Sequence, residues 1–311
     1  MFKIKSLLLV AFLSFPLVQY SQHTDQINSN RPGETMSAFS VGKSTIQIET
    51  GIYGIQEKHQ LLGYEAYGNG LDLTLRYGFF REQLELIADL QYQYQFLNPS
   101  ILYPDKSGLK QSVLGAKYLI YDPFKNYKEK INVMSWKKNR GIKWHELVPA
   151  VSVFAGANLT FANNPYAFST EASISPKVVL ITQNHFDKGR WVFVTNIIAD
   201  YIASDFPSYG YVVTLTRGFN SKWSGFIENQ GFKSDFYSDA ILRGGLAYLF
   251  TDDVQIDASI SNSLKNTPSI MYGGVGFSWR YDGNYKAVKI STNSEYSSNK
   301  AKRRAKKTKK G

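Results

Sequence analysis

The sequence predicts an all-β protein, a transmembrane antiparallel up-and-down β-barrel of about 12 strands with short periplasmic turns. Three observations lead there. Strand-length segments alternate apolar and polar residues again and again along the chain; aromatic residues gather at the ends of those segments; and an export signal opens a chain that holds no later stretch apolar enough for a spanning helix.

The clearest segment is LELIADLQYQYQF, residues 84 to 96. Leu84, Leu86, Ala88, Leu90, Tyr92, Tyr94 and Phe96 hold one parity, whereas Glu85, Asp89, Gln91, Gln93 and Gln95 hold the other, with Ile87 as the apolar intruder. Successive strand side chains point to opposite faces, so one face is dry and the other polar. A soluble sandwich alternates too, but its strands average roughly 5 to 6 residues. Here the dry face also passes from aliphatic to aromatic toward one end, the gradient of a strand crossing from hydrocarbon to the headgroup level.

Taken in order, the chain begins MFKIKSLLLVAFLSFPLVQYSQ, with Lys3 and Lys5 ahead of an apolar run from Ser6 to Val18. That layout is a secretory signal peptide over residues 1–21, cut near Ser21 and Gln22. The run falls short of the roughly 20 residues a spanning helix needs. Residues 22–42 are polar with little periodicity and read as a periplasmic N-terminal segment, flexible by default. They are also a candidate lumen plug, in which Asn30, Arg31 and Pro32 fold into the periplasmic mouth and Arg31 meets a lumen acid such as Glu49.

The barrel itself is expected over residues 43–282. Alternation and turn residues place strands near 43–54, 65–79, 82–96, 108–121, 147–160, 171–183, 190–201, 209–219, 222–231, 240–250, 254–264 and 270–282. Gaps at 80–82, 220–222 and 251–253 are tight and read as periplasmic turns, while the longer gaps on the other side read as external loops. An even strand count returns both termini to the periplasm. Residues 122–146 depart from this as a long basic insertion on the turn side. Segments 147–160 and 171–183 have weak parity, which leaves their facing open. Tyr77, Phe79, Tyr118, Tyr121, Trp191, Phe219, Trp223, Tyr248, Phe250, Trp279 and Tyr281 collect toward the periplasmic rim, as an interfacial girdle would.

Composition agrees with this reading. At 43% hydrophobic and 15% aromatic, the chain is too polar for a helical membrane protein and unusually aromatic for a soluble one. With no cysteine, it has no disulfide framework, thiol chemistry or cysteine-ligated metal. The net charge of +11 sits in appendages: residues 286–311 hold ten Lys or Arg and one Glu, and residues 121–146 hold seven and three. What remains is mildly acidic. Residues 283–311 are read as a disordered basic periplasmic tail. Behind an export signal, its partners would be anionic lipid or cell-wall polymer rather than nucleic acid. The other partners expected are outer-membrane lipid and a small-molecule solute; no cofactor or metal is implied.

Several stretches carry a family resemblance. NSNRPGETMSAFSVGKSTIQIETG, with Arg31-Pro32, Gly42 and the strand Gln47-Ile48-Glu49-Thr50-Gly51, is followed by GAKYLI, GFIENQG, GGLAYLFTDDVQIDASIS and GGVGFSWRY. In that order, over roughly residues 28 to 282, they resemble a bacterial outer-membrane transporter family filed under the meta-cleavage pathway of phenol degradation. The resemblance implies an outer-membrane barrel that passes small molecules. The basic tail departs from the family.

The inward parity supplies the candidate site: Glu49, Asp72, Arg76, Glu85, Asp89, Lys117, Asp200, Glu228, Arg243, Asp257 and Arg280. Charges of both signs in a membrane protein must pair or reach water. They read either as a salt-bridged filling that seals a narrow barrel or as a constriction that selects solutes by size and charge. A hydrolase is the weaker alternative. His23, His59, His145 and His185 all fall in the leader, loops or turns, and no HExxH, GxSxG or GxxxxGK[ST] motif is present. An adhesive barrel is disfavoured by short loops, which offer little of the about 800 Å² a stable partner needs.

Overall fold

The computed structural model describes residues 26–98, 104–125, 134, 143–167, 171–235 and 237–283. The signal peptide, residues 22–25, most of the basic insertion and the tail beyond 283 lie outside the described residues.

Twelve antiparallel strands close a barrel in chain order: β1 (Thr45–His59), β2 (Tyr64–Gly78), β3 (Leu84–Asn98), β4 (Lys106–Tyr121), β5 (Ala150–Thr160), β6 (Ser173–Phe186), β7 (Trp191–Asp200), β8 (Ser208–Gly218), β9 (Trp223–Ser234), β10 (Ser238–Thr251), β11 (Val254–Ser263) and β12 (Ser269–Asp282). The seam joins β1 to β12, from Thr45 opposite Asp282 to Lys58 opposite Ser269. Closure leaves no open sheet edge, so the backbone groups of the wall bond within the sheet, as hydrocarbon requires.

The two faces are inverted relative to a soluble protein. Ile52, Ile174, Ile227 and Ile260 stand more than half exposed on the outside, with Leu71, Leu114, Ile197 and Val275 beside them. Buried inside are Gln47, Glu49, Arg76, Glu85, Lys117 and Glu228. An apolar exterior around a polar interior is stable only with lipid outside. Aromatic rings ring the turn-side rim, where Trp223 packs against Tyr248 with ring centres 4.8 Å apart and Trp279 against Tyr281 at 6.2 Å, both pairs tilted. Arg217 lies over Trp191 at 4.9 Å, a cation at the headgroup level.

Three departures from the expected boundaries have physical causes. Strands β1 and β2 run past the apolar band, where Lys58 pairs with Glu65 at 3.0 Å and Tyr64 donates to Glu57 at 2.6 Å. Cross-strand polar pairs hold that hairpin, so its sequence has no alternation to read. The start expected at residue 147 is wrong because Trp144–Leu147 form a short 3₁₀ turn, and β5 begins at Ala150. Strand β6 continues to Phe186, which puts His185 on the wall rather than in a turn. Its ring lies edge-on to Phe39 at 5.4 Å and beside Phe124 at 5.3 Å.

Weak parity in β5 and β6 has its own cause. Their inward residues Phe154, Val179 and Ile181 are apolar and buried, and they join Ile87, Val113, Leu119 and Val194 in an internal cluster. Met36, Ala38 and Phe39 of the N-terminal segment belong to the same cluster. This part of the wall faces lipid on one side and a folded peptide on the other, so both faces are apolar.

Candidate functional site

Residues 26–43 run around the inside of the barrel near the turn-side end before entering β1. Backbone groups taken inside a barrel need partners, and the wall supplies them in turn. Ile27 donates to the Asp252 carbonyl at 2.8 Å. The Asn28 carbonyl accepts from Arg76 Nη1 at 2.7 Å and Gln47 Nε2 at 3.1 Å. Glu228 accepts from the Glu34 amide at 3.1 Å and the Thr35 hydroxyl at 2.7 Å. Asn196 donates to the Met36 carbonyl, Gln183 accepts from the Ala38 amide, and Lys117 donates to the Ser37 carbonyl at 2.8 Å. Glu85 then accepts from the Val41 amide at 3.2 Å. Gly42 makes the final turn with φ of 96°, and a methyl group on Gly78 would run into its carbonyl oxygen.

The charged side chains form three clusters. In the first, Arg76 bridges Glu49 at 2.9 Å and Glu85 at 2.5 Å, and Lys117 joins Glu85 at 3.1 Å; all four are essentially buried. In the second, the Arg31 guanidinium pairs with Asp72 and, at 3.3 Å, with Asp257. In the third, Arg243 bridges Glu228 at 2.5 Å and Glu34 at 3.4 Å. Arg280 donates to the Gln26 carbonyl at 2.8 Å. Each cation thus answers acids or carbonyls that would be costly to bury alone.

The inward parity therefore assembles as one lumen surface. Glu49, Asp72, Arg76, Glu85, Lys117, Glu228, Arg243, Asp257 and Arg280 all touch the N-terminal segment or the clusters that hold it. Asp200 pairs instead with Lys177 at 2.9 Å. Asp89 stands apart, accepting from Thr74 at 3.2 Å and Gln111 at 2.7 Å. Asn30, Arg31 and Pro32 lie in the lumen, but Arg31 meets Glu49 through its backbone amide, at 3.3 Å, and sends its guanidinium to Asp72 and Asp257. Sequence reasoning missed Glu34, Gln183 and Asn196, and with them a notch. Gly51 of β1 is paired with Gly276 of β12, and a side chain on either would overlap the Arg31 guanidinium. Paired inward glycines on adjacent strands were the available signal.

Between the segment and the loop-side mouth lies a cavity of about 390 Å³, lined by Tyr53, Phe232, Tyr237 and Tyr272 together with charged and amide side chains. Among the described residues there is no group of His, Cys, Asp and Glu arranged to hold a metal.

Residues 29–281 match the family model described as "Putative MetA-pathway of phenol degradation". The chain belongs to this family. Among solved structures, an outer-membrane channel from Pseudomonas putida F1 shares the fold at 13% identity and a TM-score of 0.52, covering 81% of this chain and 100% of that one. The CymD monoaromatic hydrocarbon channel matches at 9% identity and a TM-score of 0.40, covering 78% and 90%. The KdgM porin matches at 11% and 0.42, covering 74% and 98%. No curated protein matches the chain.

Proposed function

We propose that the protein is a passive outer-membrane channel for small molecules, with residues 26–43 as a plug that closes its periplasmic end. One observation carries the reading: a closed, lipid-facing barrel keeps a cavity of about 390 Å³, lined by both polar and aromatic side chains, whose floor is the chain's own N-terminal segment, held by side chains from nearly every strand. A structural barrel would be cheaper to fill with apolar packing, because buried ion pairs seldom add net stability. Salt-bridged clusters around a separate peptide instead make an arrangement that can part and re-form, and they set a charge filter along the route. Short turns on the plug side support a periplasmic location for that end and for both termini.

The second reading, a barrel sealed by its plug, is favoured by the complete burial of Ala38, Arg76 and Lys117. Planar-bilayer recordings separate the two. The wild type should pass small ions at low open probability, and deleting residues 26–40 should raise conductance. Absence of current from both proteins would end the channel reading. The basic tail, outside the described residues, is proposed from composition to hold anionic lipid or cell-wall polymer, and vesicle co-sedimentation with and without residues 284–311 tests it.

A further inference from the structure

The loop-side cavity has a charge and ring pattern that the plug does not use. Arg31 and Arg243 each bridge two acids, so they are spent. Two other carboxylates reach the cavity with only neutral donors. Asp89 on β3 accepts from Thr74 and Gln111; Asp239 on β10 accepts from the Tyr237 hydroxyl at 2.7 Å and the Ala240 amide at 2.7 Å. Among the described residues no Lys or Arg forms a direct ion pair with either; Lys177, which acts on Asp89 from a distance, is itself paired with Asp200. Strand order sets them on opposing walls.

Aromatic faces stand between them. Tyr53 and Tyr272 meet edge to face at 6.1 Å, and Phe232 lies 5.6 Å from Tyr237. The protein already seats a cation there: the Lys110 ammonium sits 4.9 Å from the Tyr272 ring centre and 3.3 Å from its hydroxyl. Ring faces attract ammonium groups, most strongly where water is scarce, and carboxylates without a direct ion-pair partner add a longer-range pull. A cavity of 390 Å³ lies within the roughly 300 to 1,000 Å³ typical of small-molecule sites.

We infer that this cavity binds an organic cation, an ammonium carried on a small apolar or aromatic body, between Asp89, Asp239 and the Tyr53–Tyr272 pair, with Lys110 as a tethered competitor. As the substrate class of the proposed channel, the inference rests on the lumen being the route of passage; the binding itself does not require current.

The test uses the full chain in detergent and calorimetric titration with benzyltrimethylammonium, benzyl alcohol and benzoate. The cation should bind saturably, and the alcohol and the acid should not. Asp89→Asn and Asp239→Asn should each weaken cation binding about fivefold or more, and Tyr272→Leu should weaken it where Tyr272→Phe does not. Lys110→Met should tighten it, a gain that a folding defect cannot imitate. Equal binding of the alcohol or benzoate, or indifference to both Asn substitutions and to Lys110→Met, would overturn the inference. Bilayer recordings on the same preparation keep the two readings apart. Binding without current removes the channel and keeps the site, whereas current without cation binding removes the site and keeps the channel.

Discussion

Arg31→Ala tests whether the plug is latched by charge. The guanidinium is 14% exposed and stands between Asp72, at 25%, and Asp257, at 0%. Removing it leaves two acids facing each other across the notch of Gly51 and Gly276. Breaking a buried pair costs about 3 to 5 kcal/mol. Water in the cavity reaches Arg31 and Asp72, which moves the figure to the lower end, about 3 kcal/mol. That penalty falls on the seated plug and not on the displaced one, because a displaced Arg31 no longer compensates either acid. At 1.4 kcal/mol per decade, the seated-to-displaced ratio should fall about 100-fold. Single-channel open probability reads the ratio directly, and gel migration with and without heating confirms that the barrel still folds. Arg31→Lys keeps the charge without the bidentate fork, so it should fall between. An Arg31→Ala channel that opens no more often than the wild type would refute the latch.

Other perturbations probe neighbouring claims. Gly276→Leu should expel the Arg31 side chain from its notch and raise open probability much as Arg31→Ala does, and combining the two should add little, since both act on one contact. Glu85→Gln leaves Arg76 and Lys117 with one acid, Glu49, between them, so thermal unfolding in detergent should shift down, with a cost of about 3 kcal/mol or more. Ile227→Arg places a charge on the lipid face, where Ile227 is 65% exposed, and should cost about 2 to 4 kcal/mol of folding into bilayers. If refolding of that variant into vesicles matches the wild type, the outward face is not the lipid face.

The alternation that foretold the wall works wherever a strand separates lipid from water. Strand β3 is the plain case: Glu85, Gln93 and Gln95 are buried inward while Leu86, Tyr92 and Phe96 are exposed outward. Its apolar intruder Ile87, on the inward face, is 2% exposed in the internal cluster that the N-terminal segment completes. So the break in parity that looked like noise marked where lumen water is replaced by peptide. Segments β5 and β6 lost their parity for the same reason. The plug was harder to read because many of its contacts are made by backbone amides and carbonyls, which have no residue-type signature. Only their wall partners do, and Gln183, Asn196 and Ser152 look like any polar lumen residue.

Taken together, these irregularities form a pattern. A barrel whose lumen held only water would keep its inward parity polar on every strand, and it would have no need for the Gly51–Gly276 pair. In this chain the internal apolar cluster and the glycine pair both fit the shape of residues 26–43: apolar wall where Met36 and Phe39 rest, and empty wall where the Arg31 fork passes. Above the segment the inward residues are a mixture of polar, aromatic and aliphatic side chains, among them Asp89 and Asp239, whose hydrogen-bond donors are neutral. On the proposed reading, the wall has two occupants, a peptide at one end and a solute at the other. Because they share Glu34, Arg31 and Glu49 as a common boundary, a cationic solute pressing on those acids would compete with the pairs that keep the plug seated. On this argument, adding benzyltrimethylammonium from the loop side should raise open probability in the wild type and have a much smaller effect in Arg31→Ala, where the latch is already gone.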